Sequence, residues 1–319
     1  MSDPVTLKPA AQAEAREALQ HAVATLNTII LGKSDKVDLA LATLLAGGHL
    51  LIEDVPGVGK TTMARALAVV MGLDFARVQF TSDLLPSDVT GVSVFNKVDA
   101  SFAFHRGPIF TQMLLADEVN RATPKAQSAL LEGMQERQVT VDGERHPLPA
   151  PFFVVATQNP ADQIGTYALP ESQLDRFLMA ISLGYPDAKS ERALLNGLRP
   201  GQSLAQRSAS LNPEMILLLQ RMAQAVAVAD PLLDYLQALI DHTRQSPAFV
   251  TGLSPRAAIA LATAARAFAF LKGRDNVFPD DLQAVFAAVA GHRLQSTART
   301  DHANAWERAQ DVLDAVAIP

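Results

Sequence analysis

With 319 residues, 49% of them hydrophobic and 19% charged, the chain has enough apolar material for a core of two domains, which excludes the disordered and fibrous classes. A net charge of −6, from 27 basic and 33 acidic residues, provides no global positive field to draw it to nucleic acid or anionic lipid. Cysteine is absent, which removes disulfides, thiolate catalysis and Cys-based zinc sites together.

Met1-Ser2-Asp3-Pro4 shows neither a basic n-region nor an apolar h-region. The richest apolar stretches are broken by Gly47-Gly48-His49 and by Arg266, so neither is a membrane span and the cytoplasm is the expected location. Ala11 to Ile30 reads as an amphipathic helix and Asp38 to Ala46 as a second, with Leu41, Leu44 and Leu45 on one face. Leu50-Leu51-Ile52 reads as a buried parallel strand, and Thr62 to Val70 as a helix whose small residues permit close packing on a sheet.

Between that strand and helix lies Asp54-Val55-Pro56-Gly57-Val58-Gly59-Lys60-Thr61. Phosphates are held by backbone N–H groups at a helix N-terminus, by a Lys that reaches the outer oxygens, and by a hydroxyl for Mg²⁺. Gly57, Gly59, Lys60 and Thr61 supply those parts. The strict phosphate-loop pattern has Gly where this chain has Asp54, and a Gly/Pro-rich connector is the alternative.

Four more strand-like runs follow, Arg77–Phe80, Gln112–Ala116, Phe152–Thr157 and Met179–Leu183, separated by helix-like segments. This is the pattern of a parallel sheet with helices on both faces. Counting Leu50–Ile52 as the first run, Thr123 as N-cap and Pro124 at the first helical position start a helix between the third run, Gln112–Ala116, and the fourth, Phe152–Thr157. Two insertions interrupt the core. Gln138–Arg145 is a β-hairpin with Asp142-Gly143 as a type I′ turn, and Val92–Phe95 with Phe102–Phe104 suggests a second ribbon. Either can be a plain surface hairpin or a moving part beside the nucleotide strands. After Pro186 strand signals stop, Arg199–Ser203 reads as a linker, and helices are expected near Pro213–Val228, Pro231–Arg244, Pro255–Leu271, Pro279–Leu294 and Ala303–Val316.

The third run delivers Asp117 and Glu118 beside the loop. In a phosphoryl-transfer site Asp117 would hold Mg²⁺ through its waters and Glu118 would orient or deprotonate the attacking water. An acidic pair at a strand end is the plainer reading. Asn159, after the fourth run, can position water or sense the γ-phosphate, and an Asn-Pro turn explains it equally well. Arg176 in Leu174-Asp175-Arg176-Phe177 reads by itself as a surface ion-pair residue. Ser254-Pro255-Arg256 is a helix start from which Arg256 can meet an anion, or simply be solvated. The seven His are scattered, which argues against a His metal site.

Together these blocks resemble the MoxR-type branch of the AAA+ ATPases, a helix-2-insert clade, over nearly the whole chain. The most distinctive are Leu51–Thr61, Gln79-Phe80-Thr81 through Leu84–Asp88, Gly107-Pro108-Ile109-Phe110, Ala116–Lys125, Ala156–Pro160, Leu174–Phe177 and Leu253–Ala257. Asp54 is an ordinary occupant of its position in that family. The resemblance implies an α/β P-loop core with a five-stranded parallel sheet over residues 1–198, then a smaller all-α lid over 199–319. It makes the ribbon (about 81–107) the helix-2 insert and the hairpin (about 137–149) the pre-sensor-1 insert.

It also implies ATP or ADP contacts from Asp54, Pro56, Gly57, Val58, Gly59, Lys60, Thr61 and Thr62, with Gly32 beside the adenine. Mg²⁺ would be held by Thr61 and Asp117, partly through water. Glu118 would be the catalytic carboxylate, Asn159 sensor 1, Arg256 sensor 2, and Arg176 an arginine finger reaching a neighbour's nucleotide; Arg121 is a further candidate at the interface. The finger requires a head-to-tail ring, usually a hexamer. The implied activity is an ATP-hydrolysing chaperone that remodels or activates partners, among them von Willebrand factor A domain proteins. A nucleotide-gated scaffold with slow hydrolysis is the alternative. A DNA-translocating motor comes third, because the acidic balance argues against nucleic acid.

Overall fold

A computed structural model describes residues 9–98, 100–159, 167, 169–197, 204, 207–297 and 305–318. In chain order, α1 (Pro9–Ile29) and α2 (Ser34–Leu45) precede β1 (Leu50–Glu53), α3 (Lys60–Met71), β2 (Phe75–Gln79) and the short α4 (Pro86–Thr90). The first ribbon is β3 (Gly91–Asn96) and β4 (Ser101–Arg106); β5 (Met113–Asp117), a 3₁₀ turn at Val119–Arg121 and α5 (Pro124–Glu136) follow. The second ribbon, β6 (Gln138–Val141) and β7 (Glu144–Pro147), leads to β8 (Phe153–Gln158), α6 (Glu171–Leu174), β9 (Met179–Ile181) and α7 (Ala188–Leu195). Helices α8 (Pro213–Gln224), α9 (Asp230–Gln245), α10 (Pro255–Leu271), α11 (Pro279–Ala290) and α12 (Ala305–Ala315) make up the rest.

The five core strands are parallel in the order β2-β5-β8-β1-β9. Strand side chains alternate between faces, so each strand feeds two cores. Leu50, Ile52, Leu115 and Val155 face one cluster, while Leu51, Leu114, Val154 and Ala156 face the other. The first cluster is continuous with the helical part of the chain: Leu41 and Leu44 of α2 share it with Leu261 of α10 and Phe286 of α11. The expected Arg199–Ser203 linker, the 198/199 domain boundary, Pro160 and the start of the Ala303–Val316 helix lie outside the described residues.

Several elements differ from expectation. The five-residue α4 lies in a stretch assigned only as part of the first insert, and α7 precedes the helices expected from Pro213 onward; neither has the length for a readable period. Thr123 occupies the N-cap position of α5 with extended backbone, but its side chain makes no capping hydrogen bond. Gln127 Nε2, within the helix, donates to the Val119 and Ala122 carbonyls. Asp142 (φ 52°) and Gly143 (φ 83°) form the left-handed pair a type I′ turn requires. The ribbons are also joined: Phe104 stacks on His146 at 4.1 Å between centroids and meets Phe110 edge-on at 5.6 Å.

Candidate active site

Parallel register brings the carboxyl ends of four strands level, pairing Gln79 with Asp117, Ala116 with Ala156 and Glu53 with Gln158. In open α/β sheets this edge, where strand order reverses, is the place for ligands. The loop 54–59 leaves β1 there and turns into α3 at Lys60. Gly57 (φ 87°) and Gly59 (φ 100°) hold left-handed backbone, and a Cβ on either would meet no atom within 4 Å. Glycine is therefore required by conformation rather than by space. Gly59 caps α3 without a side chain, so the first-turn N–H groups remain directed at an incoming anion.

Lys60 is buried, and its ammonium donates to the carbonyls of Asp54 and Gln158 (3.3 Å) and to Asn159 Oδ1 (3.0 Å). Burial pushes Lys60 below its ordinary value, against the pull of Asp54, Asp117, Glu118 and Glu53. Asn159, also buried, donates from Nδ2 to Glu118 Oε1 at 3.2 Å, so one amide links the lysine to the carboxylate. Asp117 Oδ1 accepts from the Thr157 hydroxyl (2.6 Å) and Oδ2 from Arg77 (2.7 Å). Glu118 Oε2 accepts from Gln79 (3.0 Å) and Arg121 (2.8 Å), and its backbone N–H donates to Thr157 Oγ1 (2.9 Å). Glu118 holds φ 55°, ψ 49°, a costly left-handed conformation for a residue with a side chain. The register and these bonds over-determine it. Thr157, Arg77 and Gln79 were not read from sequence as site residues; a hydroxyl directly after the apolar run Phe153–Ala156 was the available signal.

Asp54 is spent within the protein. Its carboxylate accepts from Ser182 Oγ (2.9 Å), Gly184 N (2.7 Å) and Val55 N (2.8 Å), riveting the loop to the chain after β9. Burial pushes this carboxyl up, but those bonds outweigh it and hold it below the usual range. Its backbone carbonyl, not its carboxylate, faces Lys60. Thr61 and Thr62 stand half-buried in the first turn of α3, Pro56 is exposed, and Val58 packs against the core. Gly32 (φ 68°) lies against α7, where a Cβ would come within 2.6 Å of Asp187 Oδ2.

A hydroxyl at Thr61 and a carboxylate at Asp117 make an oxygen-only donor set, which fits Mg²⁺ shared with substrate phosphates. Among the described residues no group of three or more His, Cys, Asp or Glu forms a self-sufficient metal site.

Arg176 and Arg256 are placed elsewhere. Both line a cavity of about 220 Å³ with His49, Arg137, Asp175 and Arg293, and none of Lys60, Asp117, Glu118 or Asn159 lines it. Arg176 donates to the Leu131 carbonyl (3.0 Å), and Arg256 Nε stands 4.0 Å from Asp175 Oδ2. Ser254 caps α10 by accepting from Ala257 N at 3.1 Å.

The ATPase family associated with various cellular activities (AAA) matches residues 49–179, and the AAA lid domain matches 241–316. Chaperone MoxR1 of Mycobacterium tuberculosis is 40% identical over 94% of this chain and 82% of its own. The chain belongs to the MoxR family of AAA+ ATPases. Protein MoxR of Paracoccus denitrificans is 30% identical over 86% of this chain and 88% of its own, and the uncharacterized protein YeaC of Bacillus subtilis 46% identical over 97% of each. A crystal structure described as a candidate ATPase, from Cytophaga hutchinsonii, matches this MoxR-family chain with a TM-score of 0.86 at 35% identity over 97% of each chain. The family accounts for the P-loop core and the helical lid.

Proposed function

We propose that this chain hydrolyses ATP to ADP and phosphate and that copies assembled head to tail, as a hexameric ring, use turnover to remodel or activate a partner protein. The observation that carries the reading is the continuous network Lys60–Asn159–Glu118 beside Asp117 and the N-terminus of α3, which no side chain caps. A nucleotide's β- and γ-phosphates replace the Asp54 carbonyl and Asn159 as partners of Lys60, while the backbone N–H groups of 57–62 cradle them. Mg²⁺, on Thr61 and on Asp117 through water, would neutralise charge on those phosphates. Glu118 takes the proton of the attacking water, and Asn159, already bonded to it, holds that water in line. Arg176, with Arg256 beside it, serves the nucleotide of the neighbouring copy, which is why both stand apart from Lys60 in their own chain. The partner is a protein, a von Willebrand factor A domain among the candidates, met in the cytoplasm; the net charge of −6 disfavours nucleic acid.

A slow nucleotide-gated scaffold is the second reading, favoured by one observation. Glu118 is held by Asn159, Gln79 and Arg121 together, so the base must be released before it can act. Glu118→Gln separates the two. It should bind ATP with turnover reduced about 10²- to 10⁴-fold, the usual worth of a positioned base. If it then activates the partner as well as wild type does, remodelling is refuted and the scaffold stands; Lys60→Ala should lose nucleotide and activation under either.

A further inference from the structure

Arg293 follows α11 in the helical lid, and its side chain is only 6% exposed. Its guanidinium is committed almost wholly to one stretch of the core. Nε donates to Asp175 Oδ1 (2.6 Å), Nη2 to the carbonyls of Phe177 (2.7 Å) and Asp175 (3.2 Å), and Nη1 to the carbonyls of Leu178 (3.2 Å) and Val289. His292 adds a bond from its ring to the Phe177 carbonyl at 3.2 Å. Arg176 lies inside this clamped stretch. The other oxygen of Asp175 faces Arg256, so two lid arginines meet on one core carboxylate, next in sequence to Arg176.

A structural reading alone does not account for this choice of residue. Burial pushes Arg293 below its ordinary value and Asp175 only partly restores it. A buried ion pair of this kind is often no more stabilising than apolar residues of the same volume. What the planar five-donor fork supplies is geometry: it fixes a carboxylate and four carbonyls, three of them in Asp175–Leu178, in one orientation.

We propose that Arg293 is a positioning residue that, by clamping Asp175–Leu178 to the lid, holds Arg176 and Arg256 as one unit and makes the lid's position set their reach toward the neighbouring copy. The inference rests on the trans role of Arg176 proposed above. Lid movement then changes the neighbour's hydrolysis without touching the neighbour's own Lys60 or Glu118.

Subunit mixing tests both levels. Homogeneous Arg293→Gln should bind ATP as wild type does and turn it over about 10- to 100-fold more slowly, the scale of a misplaced catalytic group. Its base is intact, so mixing it with Glu118→Gln, whose arginines are intact, should restore turnover. Mixing it with Arg176→Ala should not, because both lack a placed arginine. A merely destabilised protein would fail in every mixture. The control is Arg176→Ala with Glu118→Gln. Rescue in the control without rescue in the Arg293→Gln and Glu118→Gln mixture overturns the positioning role, as does rescue of Arg293→Gln by Arg176→Ala. Failure of the control overturns the trans reading beneath it. Should Arg293→Gln not fold, Asp175→Asn removes the other half of the clamp and must show the same pattern; the opposite pattern refutes the proposal.

Discussion

At the carboxyl edge of the sheet, side chains of both signs meet because parallel register sets the strand ends level. Lys60, Arg77 and Arg121 there face Asp54, Asp117 and Glu118, and each carboxylate has several donors. At the lid junction, guanidinium groups converge from distant parts of the chain: Arg137, Arg176, Arg256 and Arg293 line a cavity whose one acid among the described residues is Asp175. The sheet edge is near electrical balance within one chain, whereas the junction carries surplus positive charge. The first suits chemistry prepared in advance, the second an anion brought by another copy.

The sharpest way to break this comparison is Arg176→Ala. If the surplus charge acts on a neighbour, turnover falls about 10³-fold or more, as for other arginine fingers, while ATP affinity measured by titration stays unchanged. Loss of ATP affinity instead would place Arg176 in its own chain's site. A smaller effect is expected on the balanced side from Thr157→Val. It leaves the half-buried backbone N–H of Glu118 and one oxygen of the buried Asp117 short of a partner, and should cost about 1–3 kcal/mol in denaturant unfolding. An unchanged midpoint would show that the edge does not depend on this hydroxyl.

The third prediction sharpens the contrast through pH. His49, lining the arginine cavity, is lowered from 6.5 to about 3 by burial and by the Arg137 charge, against a bond to the Met134 carbonyl. Its Nδ1 accepts from Val154 N at 3.0 Å, so the folded protein requires the neutral ring. A depressed pKa stabilises fully above the unfolded value and is lost as pH falls. Wild type should lose stability between about 6.5 and about 3 on this account, and His49→Phe should lack that share of the slope in denaturation at a series of pH values. His292, buried and lowered for the same reason, leaves a remaining slope of the same sign.

Local signals were legible where one short stretch carries its own reason. The Gly57–Thr61 spacing, the Asp142-Gly143 turn and the Ser254-Pro255 helix start are of this kind, because left-handed backbone, turn geometry and capping are settled by neighbours in sequence. Thr123 shows the limit: its N-cap position was legible, but whether its hydroxyl would accept from the first-turn N–H groups was not, and it does not. Asp54 shows another, because a phosphate loop looks the same in sequence whether its acid faces ligand or rivets the loop to Ser182 and Gly184.

What the sequence by itself determined was the set of elements and the identity of the polar groups at their ends, from periodicities and turn chemistry acting over a few residues. Only the tertiary structure decided which of those groups meet. Thr157 reaches Asp117 because β5 and β8 pair in register, and Arg293 reaches Asp175 across 118 residues because the lid packs on β9. Hydrogen bonds act over about 3 Å, so such partnerships depend on backbone placement that no local pattern encodes.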